Sequence, residues 1–297
     1  MKKLKIKAFA KVNLFLDIVG KREDGYHCLE TVMLSCGVSD TVHLEKTESG
    51  ITVDCDVPDI PSDETNVAYR AAELFLKNSR MPGGVAIRIE KRIPSRAGLG
   101  GGSADAAAVL RGLQMLYGKP LSEGYLLHTA ASVGADVPFC MIGGCAAMTG
   151  LGDRLVRQYP LPHLILLLAR IPGGIATPEA FSVWDRLHQE ENGKKSGSAF
   201  SELDNGLRCG LIPKNTIGNA FEKILPELAP ETDKVLKVLR ELTPCAGLSG
   251  SGNAVFGLFR KKYLAERAAQ MIADRYPGAY TAVTVPREHG LEVEVLE

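Results

Sequence analysis

The feature that most constrains this chain is a glycine-rich segment, in which four of the five residues 98–102 are glycine. Alternating apolar residues at 85–89 precede it and helix-forming residues follow it, so the pattern predicts a strand, a loop and a helix over 103–116. Because glycine has no Cβ, such a loop can turn several N–H groups toward one point at the helix N-terminus. The segment therefore predicts an anion site, most simply for nucleotide phosphates. A tight turn that binds nothing is the alternative, although a turn needs only one or two glycines.

Composition narrows the class of protein. The chain has 297 residues, with 35 basic and 35 acidic side chains that give no net charge. The length favours two domains, which we divide near Pro160 and Pro162 into residues 1–160 and 161–297. The charge balance indicates no nucleic-acid and no membrane partner. Lysines interrupt the apolar runs that a signal peptide would need, and seven cysteines without a C-x-x-C spacing favour reduced thiols, so we expect a cytoplasmic protein.

The remaining pattern mixes strands and helices along the whole chain. A second glycine cluster at 247–252 precedes an apolar run, and we expect both glycine loops to face the same ligand. The predicted strands are two strand-like runs within 2–19, a hairpin of Asp40–Glu45 with Ile51–Cys55, a buried strand at 164–171, and strands at 254–259, 279–285 and 291–296. The predicted helices cover 66–77, a segment from a Ser122 cap to about Val133, a segment capped by Thr177, and segments near 216–224, 231–242 and 261–275. A polar loop is expected at 190–198.

Polar residues in apolar surroundings mark the candidate chemistry. Lys11 and Asn13 interrupt an apolar strand near the N-terminus, and Asp136 lies in a turn among small and apolar residues. A carboxylate in such surroundings needs a partner or a raised pKa. On local grounds, Lys11 is equally well a surface residue of an edge strand. Asp136 is equally well the N-cap of the short turn that follows, which Pro138 would help to start.

A tyrosine and a histidine follow the Asp24-Gly25 turn signal. Tyr26 and His27 at such a place can stack on a planar ring and exchange hydrogen bonds with it. A pair of this kind is more often structural, so the pattern alone leaves both interpretations open.

Hydride transfer, serine hydrolysis and zinc catalysis lose support because the sequence lacks the motifs that they require. No Gly-Lys-[Ser/Thr] follows it, as a Walker A loop requires, and Ser103 and Asp105 stand where a dinucleotide fingerprint needs its third glycine. No nucleophile elbow surrounds Ser249 or Ser251, and the six histidines are not spaced as zinc ligands. Phosphoryl transfer from a nucleotide remains as the main interpretation.

Three motifs together resemble those of the GHMP kinases. The loop Pro94-x-x-x-Gly98-Leu99-Gly100-Gly101-Gly102-Ser103-Ala104 is similar to that family's phosphate loop, Ala10-Lys11-Val12-Asn13-Leu14 to its first motif, and 248–256 to its third. Within the family, Gly20–His27 and Gly134–Phe139 are similar to stretches of the members that phosphorylate a cytidine diphosphate derivative of methylerythritol. Arg96 and Asn253 stand at positions that vary.

The resemblance implies a two-domain α+β fold, with an N-terminal α/β domain like ribosomal protein S5 and a ferredoxin-like C-terminal domain. It implies transfer of the γ-phosphoryl group of ATP to the 2-hydroxyl of the acceptor, with Mg²⁺ expected beside ATP, no metal ligand assigned among the residues, and a monomer or a homodimer. Lys11 and Asp136 would be catalytic. The ATP-binding residues would be Pro94, Arg96, Ala97, Gly98, Leu99, Gly100, Gly101, Gly102, Ser103, Ala104 and, at the adenine, Asn66. The residues for the cytidine acceptor would be Asn13, Tyr26, His27, Thr177 and Phe181.

Two alternatives remain at this stage. One is a GHMP-type kinase with another alcohol acceptor, against which Tyr26 and His27 argue. The other is a nucleotide-binding protein without catalysis, against which the presence of both Lys11 and Asp136 argues. Phe181 is equally well a core residue of its helix.

Overall fold

A computed structural model describes residues 2–188 and 197–296 of the chain. Most of the polar loop expected at 190–198 lies outside the described residues. No helix within the described ranges is long and apolar enough to cross a membrane. The strands are β1 Lys3–Lys21, β2 His27–Thr47, β3 Gly50–Cys55, β4 Gly84–Glu90, β5 Cys145–Thr149, β6 Arg154–Tyr159, β7 Ile165–Arg170, β8 Gly218–Asn219, β9 Ala246–Leu248, β10 Ala254–Phe259, β11 Tyr280–Thr284 and β12 Leu291–Val295.

Helices alternate with these strands. They are α1 Val67–Ser79, α2 Gly101–Leu116, α3 Glu123–Val133, α4 Val137–Ile142, α5 Thr177–Leu187, α6 Ser198–Arg208, a 3₁₀ helix Ala220–Ile224, α7 Leu225–Leu228, α8 Pro230–Leu242 and α9 Lys262–Arg275. The expected mixture of helices and strands in an α+β fold is confirmed.

The first sheet is built on a long antiparallel pair, β1 and β2, with the order β12-β1-β2-β4-β3 and with β5, β6 and β8 attached to it. Leu4 and Ile6 on β1 and Leu44 on β2 are fully or almost fully buried, whereas Lys5 and Lys7 alternate with them on the other face. Helix α2 covers the apolar face. It comes so close that a Cβ at Gly112 would lie 2.2 Å from a Leu44 methyl group, which explains a glycine inside this helix.

The second sheet has the order β11-β7-β10-β9, and β7 pairs antiparallel with both β10 and β11. β7 and β10 are apolar almost throughout and are buried, as central strands covered by helices should be. Helices α8 and α9 pack on this sheet, with Val235, Leu239 and Ile272 in a shared core.

The strand pairing differs from the expected hairpin. Residues 40–45 are part of the continuous strand β2 and pair with β1 and β4, whereas β3 pairs in parallel with β4 alone. The hairpin of Asp40–Glu45 with Ile51–Cys55 was therefore a wrong prediction. The two runs expected within 2–19 belong to one strand, β1, whose register against β2 shifts after Phe9, Asn13 and Ile18.

Helix boundaries were predicted well where local capping decides them. Ser122 accepts a hydrogen bond from Tyr125 N and starts α3, as expected.

Other boundaries differ from the prediction. α2 begins at Gly101, two residues earlier than expected, because Gly100 adopts the left-handed conformation as its N-cap. Ala176 rather than Thr177 precedes α5, and the region 216–224 is a short strand and a 3₁₀ helix rather than an α-helix. α6 and β6 were not predicted.

The division of the chain at residues 160 and 161 does not separate the two sheets. β8 and β12 come from the C-terminal half, and both pair with β1 of the first sheet. The chain thus returns to its first sheet at its end, and the proposed domain boundary remains a prediction.

The two glycine loops meet backbone to backbone between the sheets. Ala254 N donates to Ala97 O at 3.0 Å, and the Ser249 hydroxyl donates to Gly98 O at 2.9 Å. A Cβ at Gly98 would lie 1.9 Å from Ser249 O, and one at Gly252 would lie 2.4 Å from Gly98 N. Glycine is therefore required for this approach, which fixes the first loop against the second sheet.

This contact predicts a large difference between two glycine substitutions. Gly98 and Gly118 both have a positive φ, +78° and +75°, but the space beside Gly118 is open. Gly118→Ala should cost about 1–2 kcal/mol through backbone strain alone, and Gly98→Ala about 1–3 kcal/mol more through the steric clash. Urea unfolding of both variants measures the difference. Equal losses of stability would contradict the proposed close packing.

Candidate active site

The first glycine loop ends at the N-terminus of α2, which has no side-chain cap. Gly100 caps α2 without a side-chain hydrogen bond, and the first helical bond is donated by Ala104 N to Gly100 O. The N–H groups of Gly101, Gly102 and Ser103 precede that bond, so they are available to an anion. Ala97, Leu99 and Ala104 are buried and can offer only backbone groups, whereas Arg96 is exposed at φ 53°.

Lys11 lies directly against this loop. Its backbone N–H donates to Leu99 O at 3.0 Å, and its aliphatic chain would be 2.9 Å from a Cβ at Gly100. The side chain is only 3% exposed, and Nζ lies 2.6 Å from Asn13 Oδ1 and 3.3 Å from Asp136 Oδ2. Lys11 is therefore a buried cation rather than a surface residue of an edge strand.

Asp136 faces Lys11 from the start of α4. It precedes the helix in the αR conformation, but its side chain makes no capping hydrogen bond, so the N-cap alternative does not account for this carboxylate. The Asp136 side chain is 32% exposed. One oxygen thus meets the buried amine while the group stays accessible from outside.

Asn13 joins Lys11 to the second glycine loop. Its Oδ1 also accepts from Gly250 N at 2.9 Å, and its Nδ2 donates to the Thr31 hydroxyl at 2.8 Å. Thr31 in turn donates to Phe15 O at 2.6 Å. This chain of bonds fixes the amide orientation, so that its oxygen points to Nζ of Lys11. Sequence reasoning found Asn13 but not Thr31, whose polar side chain within a strand gave little signal.

The Tyr26–His27 pair lies at the tip of the β1–β2 pair, against α5. The His27 ring stacks on Phe181 with centroids 4.6 Å apart, and Phe181 contacts Phe221 edge to face. His27 Nε2 is 2.6 Å from Asp185 Oδ1, while Tyr26 is 64% exposed. The structure brings His27 and Phe181 together from opposite halves of the chain. Asp185 was missed, although its spacing of four residues from Phe181 places both on one helix face.

Asp185 also binds Lys21. The Lys21 Nζ lies 2.6 Å from Asp185 Oδ2. Burial opposes ionisation, but the hydrogen bonds from Lys21 and His27 outweigh it and hold the pKa of Asp185 below its ordinary value. Asp185 is therefore a carboxylate with both oxygens occupied.

Two other predicted site residues make internal bonds. Asn66 caps α1, with Oδ1 accepting from Ala68 N at 2.8 Å and Nδ2 donating to Pro61 O at 2.6 Å, and it is only 7% exposed. Both ends of its amide are thus in use, and the adenine contact stays a prediction. Thr177 exchanges a hydrogen bond of 2.9 Å with Ser251, which joins α5 to the second glycine loop.

A second buried cation lies beneath the start of α2. Lys91 Nζ contacts Asp40 at 2.5 Å and Asp105 at 2.6 Å, and a Cβ at Gly101 would be 3.3 Å from Nζ. Asp40 also accepts from the N–H groups of Arg92 and Ile93. The cluster of Asp40, Lys91 and Asp105 therefore ties the ends of β4 and α2 together under the loop. Sequence reasoning missed it.

The pKa values of Lys91 and Asp105 are both raised, which favours the charged form of Lys91 and the neutral form of Asp105. Burial alone would lower the pKa of Lys91, but the carboxylates of Asp105 and Asp40 raise it above its ordinary value. Burial raises the pKa of Asp105 to about 8, partly offset by Lys91 and reinforced by Asp40. Asp105 Oδ1 is buried without a hydrogen-bond partner in the described part of the chain, which agrees with a carboxyl group that resists ionisation.

Comparison with known families identifies both halves of the chain. The family model of the GHMP kinases N terminal domain matches residues 66–144, and the GHMP kinases C terminal model matches residues 186–278. A 4-diphosphocytidyl-2-C-methyl-D-erythritol kinase of Clostridium tetani is 38% identical over 283 residues, which are 95% of this chain and 100% of that protein. The enzyme of the same name from Desulfitobacterium hafniense is 39% identical over 94% of this chain and 95% of its own length.

Solved structures agree with the sequence comparison. A crystal structure of 4-(cytidine 5'-diphospho)-2C-methyl-D-erythritol kinase superposes with a TM-score of 0.75 and 35% identity, covering 95% of this chain and 99% of that one. Homoserine kinase from Cytophaga hutchinsonii superposes with a TM-score of 0.77 at 21% identity, covering 99% of this chain and 98% of that one. At that identity, the second likeness bears on the fold alone.

The raised pKa of Asp105 predicts how stability depends on pH. Between about pH 4 and pH 8 the folded chain holds a proton on Asp105 that the unfolded chain has released, so this group makes the protein less stable as pH rises. Asp105→Asn should remove that contribution and flatten the profile. Urea unfolding at pH 6, 7 and 8 measures it, with Asp59→Asn on an exposed loop as the control. Profiles of equal slope for Asp105→Asn and the unmodified protein would contradict this assignment.

Proposed function

The chain belongs to the GHMP kinases, and from that premise we propose that it phosphorylates 4-diphosphocytidyl-2-C-methyl-D-erythritol. In this reaction the γ-phosphoryl group of ATP passes to the 2-hydroxyl group, which gives ADP and the 2-phosphate in the non-mevalonate route to isoprenoid precursors. The observation that carries the proposal is the placement of Lys11, which is bonded to the glycine loop on one side and lies 3.3 Å from Asp136 on the other. Lys11 thus lies between the proposed phosphate site and the Asp136 carboxylate.

The donor half of the site would consist mainly of backbone groups. The free N–H groups at the start of α2 would bind the β- and γ-phosphates, and the helix dipole would add positive potential there. The loop has no lysine of its own. Arg96, exposed on the loop, is proposed to contact the nucleotide with its side chain, and Pro94 to shape the turn.

The acceptor half would contain Asp136 as the group that receives the hydroxyl proton. The hydroxyl oxygen forms a bond to the γ-phosphorus while the bond to the bridging oxygen of ADP breaks, and the released proton passes to the carboxylate. Lys11 would stabilise the ionised carboxylate and the negative charge that develops on the hydroxyl oxygen. Asn13 would orient Lys11 and contact the acceptor.

The cytosine ring of the acceptor would be recognised beside His27. A base that hydrogen-bonds edge to edge with the imidazole lies in the imidazole plane, and hence close to parallel with Phe181, since those two rings are 16° apart. Tyr26, largely exposed next to His27, can cover the other face of the base. Thr177 lies between this region and the second glycine loop, through its bond to Ser251.

We propose that Mg²⁺ enters with the nucleotide. Across residues 2–188 and 197–296, no three His, Cys, Asp or Glu side chains are grouped as in a metal site built from protein ligands. Mg²⁺ usually keeps several waters and binds through substrate phosphates with one or two protein ligands, so these residues fit an ion carried by ATP. The Ser103 hydroxyl, in the first turn of α2, is placed to contact the phosphates or the ion, whose charge would offset that of the phosphates.

The location of the reaction follows from the nature of its substrates. ATP is a cytoplasmic substrate, and the seven cysteines occur as free thiols, as is usual in a reducing compartment. We therefore propose a cytoplasmic enzyme.

Replacement of Asp136 tests the role of the carboxylate. Asp136→Ala should lower kcat with the cytidine acceptor by about 10²–10⁴-fold, with the Kd of ATP within about twofold. Asp136→Asn keeps a hydrogen-bond acceptor but cannot take the proton, so it should lose a similar amount. ADP release and nucleotide binding measure the two effects, and Asp59→Ala on an exposed loop is the control. Retained turnover in Asp136→Asn would refute proton transfer to this residue.

Replacement of His27 tests recognition of the base. His27→Ala should raise KM for the cytidine acceptor roughly 10-fold or more, since the hydrogen bond to the edge of the base is lost, while KM for ATP changes little. His163→Ala, on the exposed segment between β6 and β7, serves as the control. A similar rise of KM for both substrates would show that His27 does not read the base.

A further inference from the structure

Asp185 holds His27 in one hydrogen-bonding state. The carboxylate meets His27 Nε2 through Oδ1 and Lys21 through Oδ2, both at 2.6 Å. The His27 side chain is only 8% exposed, and its ring lies flat on Phe181, one helical turn before Asp185. The position and plane of the imidazole are thus set by two residues of the helix α5, which lies in the other half of the chain from His27.

The proton on the imidazole follows from the partner. A carboxylate only accepts hydrogen bonds, so the nitrogen that faces Asp185 carries the hydrogen. In a neutral ring, Nδ1 is then bare and acts as an acceptor. Among residues 2–188 and 197–296, Nδ1 of His27 has no hydrogen-bond partner, so this acceptor is available to a ligand.

We propose that Asp185 is a positioning residue that makes His27 an acceptor and so selects cytosine over uracil at the base of the phosphate acceptor. This inference rests on the proposed function, from which the identity of the base is taken. Cytosine has one ring-edge donor, its exocyclic amino group, which His27 Nδ1 can accept. Uracil has a carbonyl oxygen at that position, so two acceptors would face each other and neither would be satisfied.

The alternative role for Asp185 is an ion pair that merely fastens the β1–β2 tip to α5. Such a pair with partly exposed partners contributes little to stability, and it would act through Lys21 as much as through His27. A purely structural clasp predicts equal effects for loss of either contact. If Asp185 acts by setting the hydrogen-bonding state of His27, loss of the Asp185 carboxylate should change the selectivity for the base, whereas loss of Lys21 should not.

Substitutions separate these roles. Asp185→Asn can turn its NH₂ group toward Nε2 and so remove the preference for hydrogen on that nitrogen. KM for the cytidine acceptor should rise about 10-fold, kcat and KM for ATP should stay within about twofold, and the preference in kcat/KM for cytidine over the uridine analogue should fall about 10-fold. Asp185→Glu, which keeps the carboxylate, should retain more of the preference than Asp185→Asn does. Steady-state ADP release with both acceptors measures these values.

Two further variants complete the kinetic test. Lys21→Met removes the second contact of Asp185, and Glu227→Gln removes another carboxylate bonded to α5, through Arg186. Both should keep the cytidine preference within about twofold. The proposal is overturned if Asp185→Asn keeps the full preference, or if Lys21→Met loses as much of it.

A direct measurement of the imidazole distinguishes failure of this inference from failure of the proposed function. Nitrogen-15 NMR of the His27 ring in the full chain should show hydrogen on Nε2, with a shift toward Nδ1 in Asp185→Asn. Hydrogen on Nδ1 in the unmodified protein would overturn the inference whatever the substrate. If the unmodified protein turned over neither acceptor, the proposed function would fail, and cytosine selection with it, while the NMR result would still decide whether Asp185 sets the state of His27.

Discussion

The structure depends on one close contact, in which two glycine loops from different sheets touch through their backbones. Gly98 faces Ser249 O and Gly252 faces Ala97, with no room for a side chain at either glycine. The glycine-rich sequence therefore has two physical causes. Gly98 and Gly252 permit the loops to approach, whereas Gly102 has nothing nearer than 4.0 Å to a Cβ and leaves space in front of the helix. Without the first cause, the N-terminus of α2 would not be held against Lys11, since the same loop supplies the carbonyl that Lys11 N binds.

Sequence reasoning succeeded where local chemistry decides the outcome. The Ser122 cap, the glycine loop and the polar interruptions at Lys11 and Asp136 are all visible within a few residues. Strand partners are not, because alternation reveals a buried face but not the strand beside it. This explains why residues 40–45 were paired with β3 instead of β4, and why the return of β12 to the first sheet was not foreseen. The charged residues Asp185 and Lys91 were missed because, on a helix or at a strand end, such side chains usually face solvent.

The two buried lysines show why one region is the candidate for catalysis and the other is not. Lys91 is enclosed between the Asp40 carboxylate and the carboxyl group of Asp105, both with side chains at most 6% exposed, so its charge serves to hold the loop in place. Lys11 is equally buried, but the carboxylate that faces it, Asp136, is one-third exposed and 3.3 Å away. A cation whose partner can still receive a ligand can stabilise charge that appears during a reaction. By burial alone, Lys11 and Lys91 are equal candidates for a catalytic role. They differ in whether the carboxyl group beside each lysine is accessible to a ligand.

At both ends of the proposed substrate site, residues attached to the first sheet contact residues from the C-terminal half of the chain. At the phosphate end, the first glycine loop rests on the second, and at the base end, His27 rests on Phe181 and Asp185 of α5. Asn13 and Thr177 add further bonds to the second glycine loop, through Gly250 and Ser251. A displacement of one sheet against the other would therefore disturb phosphate binding, the orientation of Lys11 and the state of His27 together. Under the proposed function, selectivity for the acceptor and alignment for transfer would both depend on one packing arrangement, in which residues distant in sequence form a single site.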